Sequence, residues 1–279
     1  MSRMFNQEQS IAFIGAGNMA TALIKGLLAK GYPCANIWAS DPNNEQLEKL
    51  KKDTNINVSN DNPAVIQQAD VVVLAVKPQL INEVLQPLQK ALNTKAVLLI
   101  SIAAGISINT LESLSSAKQA IIRCMPNTPA LVDAGASALY ANTNTSEAQQ
   151  QQAQSILSAV GIVCWLQNEN DIDTVTALSG SGPAYFFLFI EALQAAAIEQ
   201  GLDPDIAKKL ALQTAFGAAK LALSGDGDVA ELRRKVTSPG GTTEAALAQF
   251  EKDDFSNIIA RAVATAKAKS EELALLSDN

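Results

Sequence analysis

Two glycine-bearing segments of this chain lead directly into stretches with helical spacing. They are Gly15-Ala16-Gly17-Asn18-Met19-Ala20 and Ser238-Pro239-Gly240-Gly241-Thr242-Thr243. The first backbone N–H groups of a helix have no acceptor of their own, so a glycine-opened helix start attracts an anion. The first segment follows the apolar run Ile11–Ile14 and reads G-x-G-x-x-A. That spacing fits a dinucleotide pyrophosphate: Gly15 for the tight turn, Gly17 for close approach of the phosphate, Ala20 for helix–strand packing. The second segment has no strand before it and calls for a different anion. A third, Ser179-Gly180-Ser181-Gly182-Pro183, either lines the same pocket or lets two helices pack closely.

Composition narrows the chemistry. The 279 residues include no histidine, which removes Ser-His and Cys-His catalysis and histidine metal ligands. The three cysteines, Cys34, Cys124 and Cys164, are widely spaced and read as buried or incidental thiols, and no metal is expected. A net charge of −7 disfavours nucleic acid, and Arg233-Arg234-Lys235 reads as a solvated helix end. Met1 to Ser10 is polar and lacks a signal-type apolar run, so a cytoplasmic protein is expected. The apolar stretch Ala184 to Ile198 is short and interrupted by Glu191 and Gln194, so no membrane span is expected. Any reaction must use a bound cofactor, carboxylates, Lys, Tyr, Ser, Thr or backbone amides.

The elements that would position these residues alternate through the first half. Strands are expected at Ile11–Ile14, Ile37–Ser40, Val71–Val76, Val97–Ser101 and Ala120–Cys124, with helices between them. This is the pattern of a doubly wound, mainly parallel sheet, whose ligands lie beyond the carboxyl ends of the strands. The second strand ends in Ser40-Asp41. Asp41 either holds a ribose 2′-hydroxyl, as in NAD sites, or makes an Asx turn, with Pro42-Asn43-Asn44 letting it turn outward, while Ser40 can donate to a 2′-phosphate. NAD against NADP stays open on these residues. Three further strand ends carry Ala75-Val76-Lys77-Pro78, Ala103-Ala104-Gly105 and Met125-Pro126-Asn127. Each alone reads as a turn; together on one edge they suggest a platform for a nicotinamide ring. Beyond about Leu166 the pattern is helical, over Asp171–Gly201, Asp203–Ser224, Val229–Val236, Thr242–Glu251 and Phe255–Leu276. This places a domain boundary between 1–166 and 167–279. The helix after Pro183 is apolar on every face, which implies a partner subunit.

Taken in order, Gly-Ala-Gly-Asn-Met-Ala at 15–20, Ala-Val-Lys-Pro at 75–78, Ser-Ile-Ala-Ala-Gly at 101–105, Arg-Cys-Met-Pro-Asn-Thr-Pro-Ala at 123–130, Ser-Gly-Ser-Gly-Pro-Ala-Tyr at 179–185 and Ser-Pro-Gly-Gly-Thr-Thr at 238–243 closely resemble the pyrroline-5-carboxylate reductase family. The resemblance covers nearly the whole chain, and its last two motifs are the specific ones. It implies an α/β N-terminal Rossmann domain followed by an all-α C-terminal dimerisation domain. It implies reduction of 1-pyrroline-5-carboxylate to L-proline with NADPH, NADH being the alternative, by a homodimer with further assembly left open. The cofactor would meet Gly15, Ala16, Gly17, Asn18, Met19, Ala20, Ser40, Asp41, Asn62, Ala75, Val76, Lys77, Pro78, Ala103, Ala104, Gly105 and Asn127. The substrate would meet Ser181, Gly182, Ser238, Gly240, Gly241, Thr242 and Thr243, with the Thr243 hydroxyl against the ring nitrogen as the catalytic group. On the residues alone, Thr242 or Thr243 reads as a helix N-cap. Many relatives carry a hydroxyl or basic residue where Asp41 stands, a departure that bears on cofactor choice. The rival readings are another Rossmann-plus-helical reductase, of imine or β-hydroxyacid type, and a non-enzymatic dinucleotide-binding protein.

Overall fold

The computed structural model describes residues 9–225 and 228–277, so the polar segment 1–8 lies outside it. The chain forms two compact units: one runs up to Ser181 and includes the segment from Ala266 onward, and the other is Gly182–Thr265. The first unit alternates β1 (Ile11–Ile14), α1 (Asn18–Ala29), β2 (Ile37–Ser40), α2 (Asn44–Thr54), β3 (Asn57–Ser59), α3 (Asn62–Gln68) and β4 (Val71–Leu74). It continues with α4 (Ile81–Leu85), α5 (Gln89–Thr94), β5 (Leu98–Ser101), α6 (Ile108–Leu114), β6 (Ala120–Met125), β7 (Gly135–Ala141), α7 (Glu147–Leu157), β8 (Gly161–Trp165) and α8 (Asp171–Val175).

The strands make one sheet in the order β3-β2-β1-β4-β5-β6-β7-β8. All neighbours are parallel except β6 and β7. The inner strands β1, β4 and β5 are buried at every residue, as parallel strands covered on both faces must be. Alternate side chains serve two cores. Phe13 and Val73 pack with Leu23 and Leu27 of α1 on one face. Ile14 and Leu74 pack with Ile66, Leu85 and Leu111 on the other. Pairing aligns Ile14 with Ser40 and Leu74, Leu74 with Ser101, and Ser101 with Arg123. The strands therefore reach one rim together, at the point where strand order reverses between β1 and β4.

The expected strands and helices of the doubly wound sheet are present, with ends shifted by one or two residues. Strands β3, β7 and β8 were not expected. Two of them carry weak signals, β3 being three largely polar residues and β7 rich in Ala and Ser, whereas β8, an edge strand, is Gly-Ile-Val-Cys-Trp and strand-like in composition.

The second unit comprises α9 (Gly182–Glu199), α10 (Pro204–Leu223), α11 (Val229–Lys235), α12 (Thr242–Lys252) and the first part of α13 (Phe255–Ser277). Arg233, Arg234 and Lys235 form the exposed last turn of α11, as expected. A five-residue π-helical turn, Thr176–Gly180, joins α8 to α9. The helical stretch Asp171–Glu199 is thereby 29 residues long, close to the expected span, and length and composition alone would let it cross a membrane, against the expectation of no membrane span. In the single chain several of its large apolar residues are bare: Phe186 is 69% exposed, Phe187 65% and Leu188 67%.

The Cys124 thiol, on β6, is buried, and burial pushes its pKa from 9.0 up to about 12, with a Ser137 hydrogen bond opposing. The unfolded thiol ionises near 9.0 and the folded one near 12. Its contribution to stability is therefore complete below pH 9 and declines as pH rises toward 12, by at most about 1.4 kcal/mol per pH unit. Urea denaturation at pH 8 and pH 10 should show a smaller alkaline loss in Cys124→Ala than in the wild type. Equal losses would remove Cys124 from the alkaline instability.

Candidate active site

The glycine loop is shaped by its neighbours across the rim. Gly15 has φ +98°, and a Cβ there would lie 2.6 Å from the Ala75 carbonyl oxygen, so only glycine fits. Its N–H donates to the Ser40 carbonyl at 2.7 Å. Gly17 differs: nothing lies within 4 Å of where a Cβ would be. Gly17 is the N-cap of α1, no side chain closes that helix start, and its first turn has no acidic residue. Asn18, Met19 and Ala20 thus open a helix into free space, the cradle a pyrophosphate needs.

Asp41 does not turn outward. One carboxylate oxygen accepts the Ala16 N–H at 2.9 Å, and the other accepts the Asn43 N–H at 2.9 Å in an Asx turn. Gln46 donates to the Ala16 carbonyl from the other side, and Thr21 does so at 3.3 Å. Ser40 is buried, and its hydroxyl donates to Asn62 Oδ1 at 2.6 Å. Gln46 and Thr21 were not foreseen, because nothing in their local spacing marks a contact to residue 16.

The nicotinamide-platform residues follow neighbouring strands. Ala75 and Val76 stand against Gly15, while Lys77 is exposed and precedes the short 3-10 turn of Pro78. Ala103, Ala104 and Gly105 follow β5, with Ala103 buried and Gly105 at φ +72°. Asn127 follows β6 and spends its side chain on structure, accepting from the Ala136 N–H at 2.9 Å and donating to the Ser179 carbonyl at 3.1 Å. A Cβ on Gly180 would lie 2.3 Å from Met125 Cε. The motifs at 125–127 and 179–181 therefore meet, with Gly180 packed closely against the end of strand β6 and not against a second helix. Ser181 ends this turn, its N–H donating to the Thr176 carbonyl at 2.8 Å, and Gly182 is buried at the start of α9.

In the second unit, Ser238 to Thr243 form an exposed turn into α12, with Gly241 the half-buried exception. Neither threonine is the N-cap; Gly241 is, and no side chain closes the helix start. Gly240 has φ +71°, and its N–H donates to Glu244 Oε2 at 2.7 Å. A carboxylate thus already sits on this loop, a contact the sequence reading missed. The uncapped starts of α1 and α12 are unusual in this chain. Side chains of Asn43, Asp61, Ser107, Ser146, Asp203 and Asp228 close α2, α3, α6, α7, α10 and α11. The short α4, α5 and α8 instead continue from residues already in helical conformation.

A glycine-opened helix start at the reversal point of a doubly wound sheet, followed by an all-helical part, defines a Rossmann-type, dinucleotide-dependent oxidoreductase. Residues 10–105 match the family described as NADP oxidoreductase, coenzyme F420-dependent, and residues 169–273 match pyrroline-5-carboxylate reductase dimerisation. A pyrroline-5-carboxylate reductase of Pseudomonas aeruginosa is 52% identical over 264 residues, covering 95% of this chain and 96% of that protein. Among solved structures, a pyrroline-5-carboxylate reductase from Coxiella burnetii is 41% identical with a TM-score of 0.92, covering 95% of this chain and 98% of that one. The Plasmodium falciparum pyrroline carboxylate reductase with NADP bound is 33% identical with a TM-score of 0.84, over 96% of this chain and 99% of that one. The chain belongs to the pyrroline-5-carboxylate reductase family.

Gly15 and Gly17 give separable expectations. Gly15→Ala should lower stability by about 1–3 kcal/mol, because it forces a side chain into both strain and overlap. Gly17→Ala, with ordinary φ and open space, should leave stability unchanged and weaken NADPH binding at least tenfold. Urea denaturation and NADPH fluorescence titration check both; full NADPH affinity in Gly17→Ala would move the pyrophosphate elsewhere.

Proposed function

We propose that this chain reduces 1-pyrroline-5-carboxylate to L-proline, with NADPH preferred over NADH, as a cytoplasmic homodimer whose residues 167–279 serve dimerisation and substrate binding. The observation that carries the reading is the pair of uncapped, glycine-opened helix starts at Gly17 and Gly241, in a chain that closes six other helices with side chains. Two helix starts suit two anions, a pyrophosphate and a carboxylate.

The residues at the first start fit the dinucleotide, since the space beside Gly17 is open and the α1 N–H groups face no acidic side chain of their own turn. When bound, NADPH supplies a hydride to the C=N carbon of the substrate. The protonated cyclic imine is already electrophilic, so no carbonyl oxygen needs an acid, which accords with the absence of histidine. The chain's task is positioning. Ala103, Ala104 and Gly105 present small surfaces to a flat ring, and Lys77 and Pro78 bound it. The open start of α12 at Thr242 offers an N–H donor to the substrate carboxylate, and Ser238, Gly240 and Gly241 shape the turn before it, with the Gly240 and Gly241 N–H groups given to Glu244 and to the Ser238 carbonyl. The Thr243 hydroxyl accepts the N–H of the iminium and of the product amine. Ser181 and Gly182 are further residues assigned to substrate contact.

A groove of about 410 Å³ beside Asn18 and Asn43 carries Lys25 and Lys49 but also Glu45 and Asp53, with Lys25 paired to Asp53 at 3.4 Å, so Lys49 is the cation it leaves for a 2′-phosphate. Both Asp41 oxygens are occupied by backbone N–H groups, so its charge is partly satisfied within the loop. The bare Phe186, Phe187 and Leu188 support a second copy, rather than a membrane, as the cover of α9, because the matched dimerisation family spans these residues.

Thr243→Ala should lower kcat/KM for pyrroline-5-carboxylate some tens-fold, about 2 kcal/mol of transition-state stabilisation, with the thermal midpoint unchanged. Assay against that substrate and a panel of 2-keto acids and other imines tests the reading as a whole. Wild-type kinetics in the variant would take Thr243 out of the mechanism. Sedimentation velocity should give a dimer or a multiple of it at low micromolar concentration; a stable monomer would remove the second copy.

A further inference from the structure

One ion pair at the rim, its arginine buried and its glutamate 24% exposed, has no part in the steps above. Arg123, on β6, aligns with Ser101 and through it with Leu74 and Ile14. Its side chain is 8% exposed, and its Nη1 meets Glu169 Oε1 at 2.5 Å. The same oxygen accepts the Ile108 N–H at 2.7 Å. Glu169 lies between β8 and α8, 46 residues beyond Arg123 and 61 beyond Ile108. A single oxygen thus fastens three distant pieces of chain. These are the end of β6, the passage of the β5–α6 loop into α6, and the approach to the helical turn that ends at Ser181.

Two of the pieces carry residues of the platform, since Ala103 to Gly105 precede Ile108 and Asn127 follows Arg123; the third leads to Ser179, whose carbonyl accepts from Asn127. A buried ion pair adds little stability over an apolar pair of the same shape, because removing two charges from water offsets their attraction. What it adds is a fixed arrangement, since each charge must find the other.

We propose that Arg123 and Glu169 are positioning residues for the reduction: their bond holds the β5–α6 loop and the turn after β6 at the spacing that grips the nicotinamide ring. Neither side chain touches cofactor or substrate. The inference rests on the reading that the ring is seated at this edge of the sheet.

The test uses the full-length protein in two forms. Arg123→Met with Glu169→Leu removes the bracket without leaving a lone buried charge; Glu169→Gln keeps an acceptor for both N–H donors. In the double variant, with the thermal midpoint within a few degrees of the wild type, the Kd and KM for NADPH should rise at least fivefold and kcat fall about tenfold. The KM for pyrroline-5-carboxylate should stay within twofold. Glu169→Gln should recover most of the NADPH affinity. A folded double variant with wild-type NADPH affinity and kcat, or one impaired only in substrate KM, would overturn the proposal. A measurement independent of either variant is amide hydrogen exchange on the wild type. Saturating NADPH should slow exchange together at 102–108 and 168–171, and unchanged exchange there would overturn the proposal as well. Binding is read by fluorescence without substrate, so a protein that binds NADPH but does not turn over pyrroline-5-carboxylate would count against the substrate reading alone.

Discussion

The first N–H groups of an α-helix cannot be satisfied within the helix, and the fate of those donors organises this molecule. Most of its longer helices meet the requirement locally, with an Asn, Asp or Ser at the N-cap. Two begin at glycine and leave it unmet. An open helix start weakens a fold slightly, because a good cap contributes about 1 kcal/mol. Leaving it open is useful only where something else supplies the acceptor. The parallel register brings the first opening to the strand-end rim, and the second unit carries the other.

How much of this could be read from the residues depends on the range of the interaction. Gly15 to Ala20 announced a strand, a turn and a helix at once, because all three requirements fall within ten residues. Val71 to Leu74 could only be a buried strand. Local patterning also gave the helical spans beyond Asp171. Strand β7 escaped because Ala, Ser and Gly lack the bulk that marks a strand, and its pairing compensates only once the sheet exists; β8, with Ile162, Val163 and Trp165, carried a strand composition that the sequence reading missed. The two threonines of α12 were ambiguous because threonine is itself a common cap, and the preceding glycine took that position instead.

The contacts of the site that the sequence concealed join residues far apart in the chain. Asp41 to Ala16, Ser40 to Asn62 and Arg123 to Glu169 span 25, 22 and 46 positions. No periodicity marks such partners, and their chemistry is legible only after the strands are aligned. Asp41 shows the difficulty most plainly. Its type suggested a ribose contact or an Asx turn; the Asx turn to Asn43 is present, and what the sequence did not show is the second carboxylate oxygen held by the Ala16 N–H. The apolar helix α9 is the opposite case: its composition demanded cover that one chain does not provide, and the bare phenylalanines bear that out.

The bond from Gly240 N–H to Glu244 has a consequence for the thermodynamics of binding. A glycine-rich turn left to itself samples many conformations, and ordering it around a ligand would subtract from affinity. Here Glu244 grips the turn from the helix it precedes, with Gly240 already in the left-handed region that a larger residue would resist. The configurational freedom of the turn is surrendered when the chain folds, not when an anion arrives. The turn is in this sense preorganised, and the carboxylate that keeps it so belongs to the protein itself.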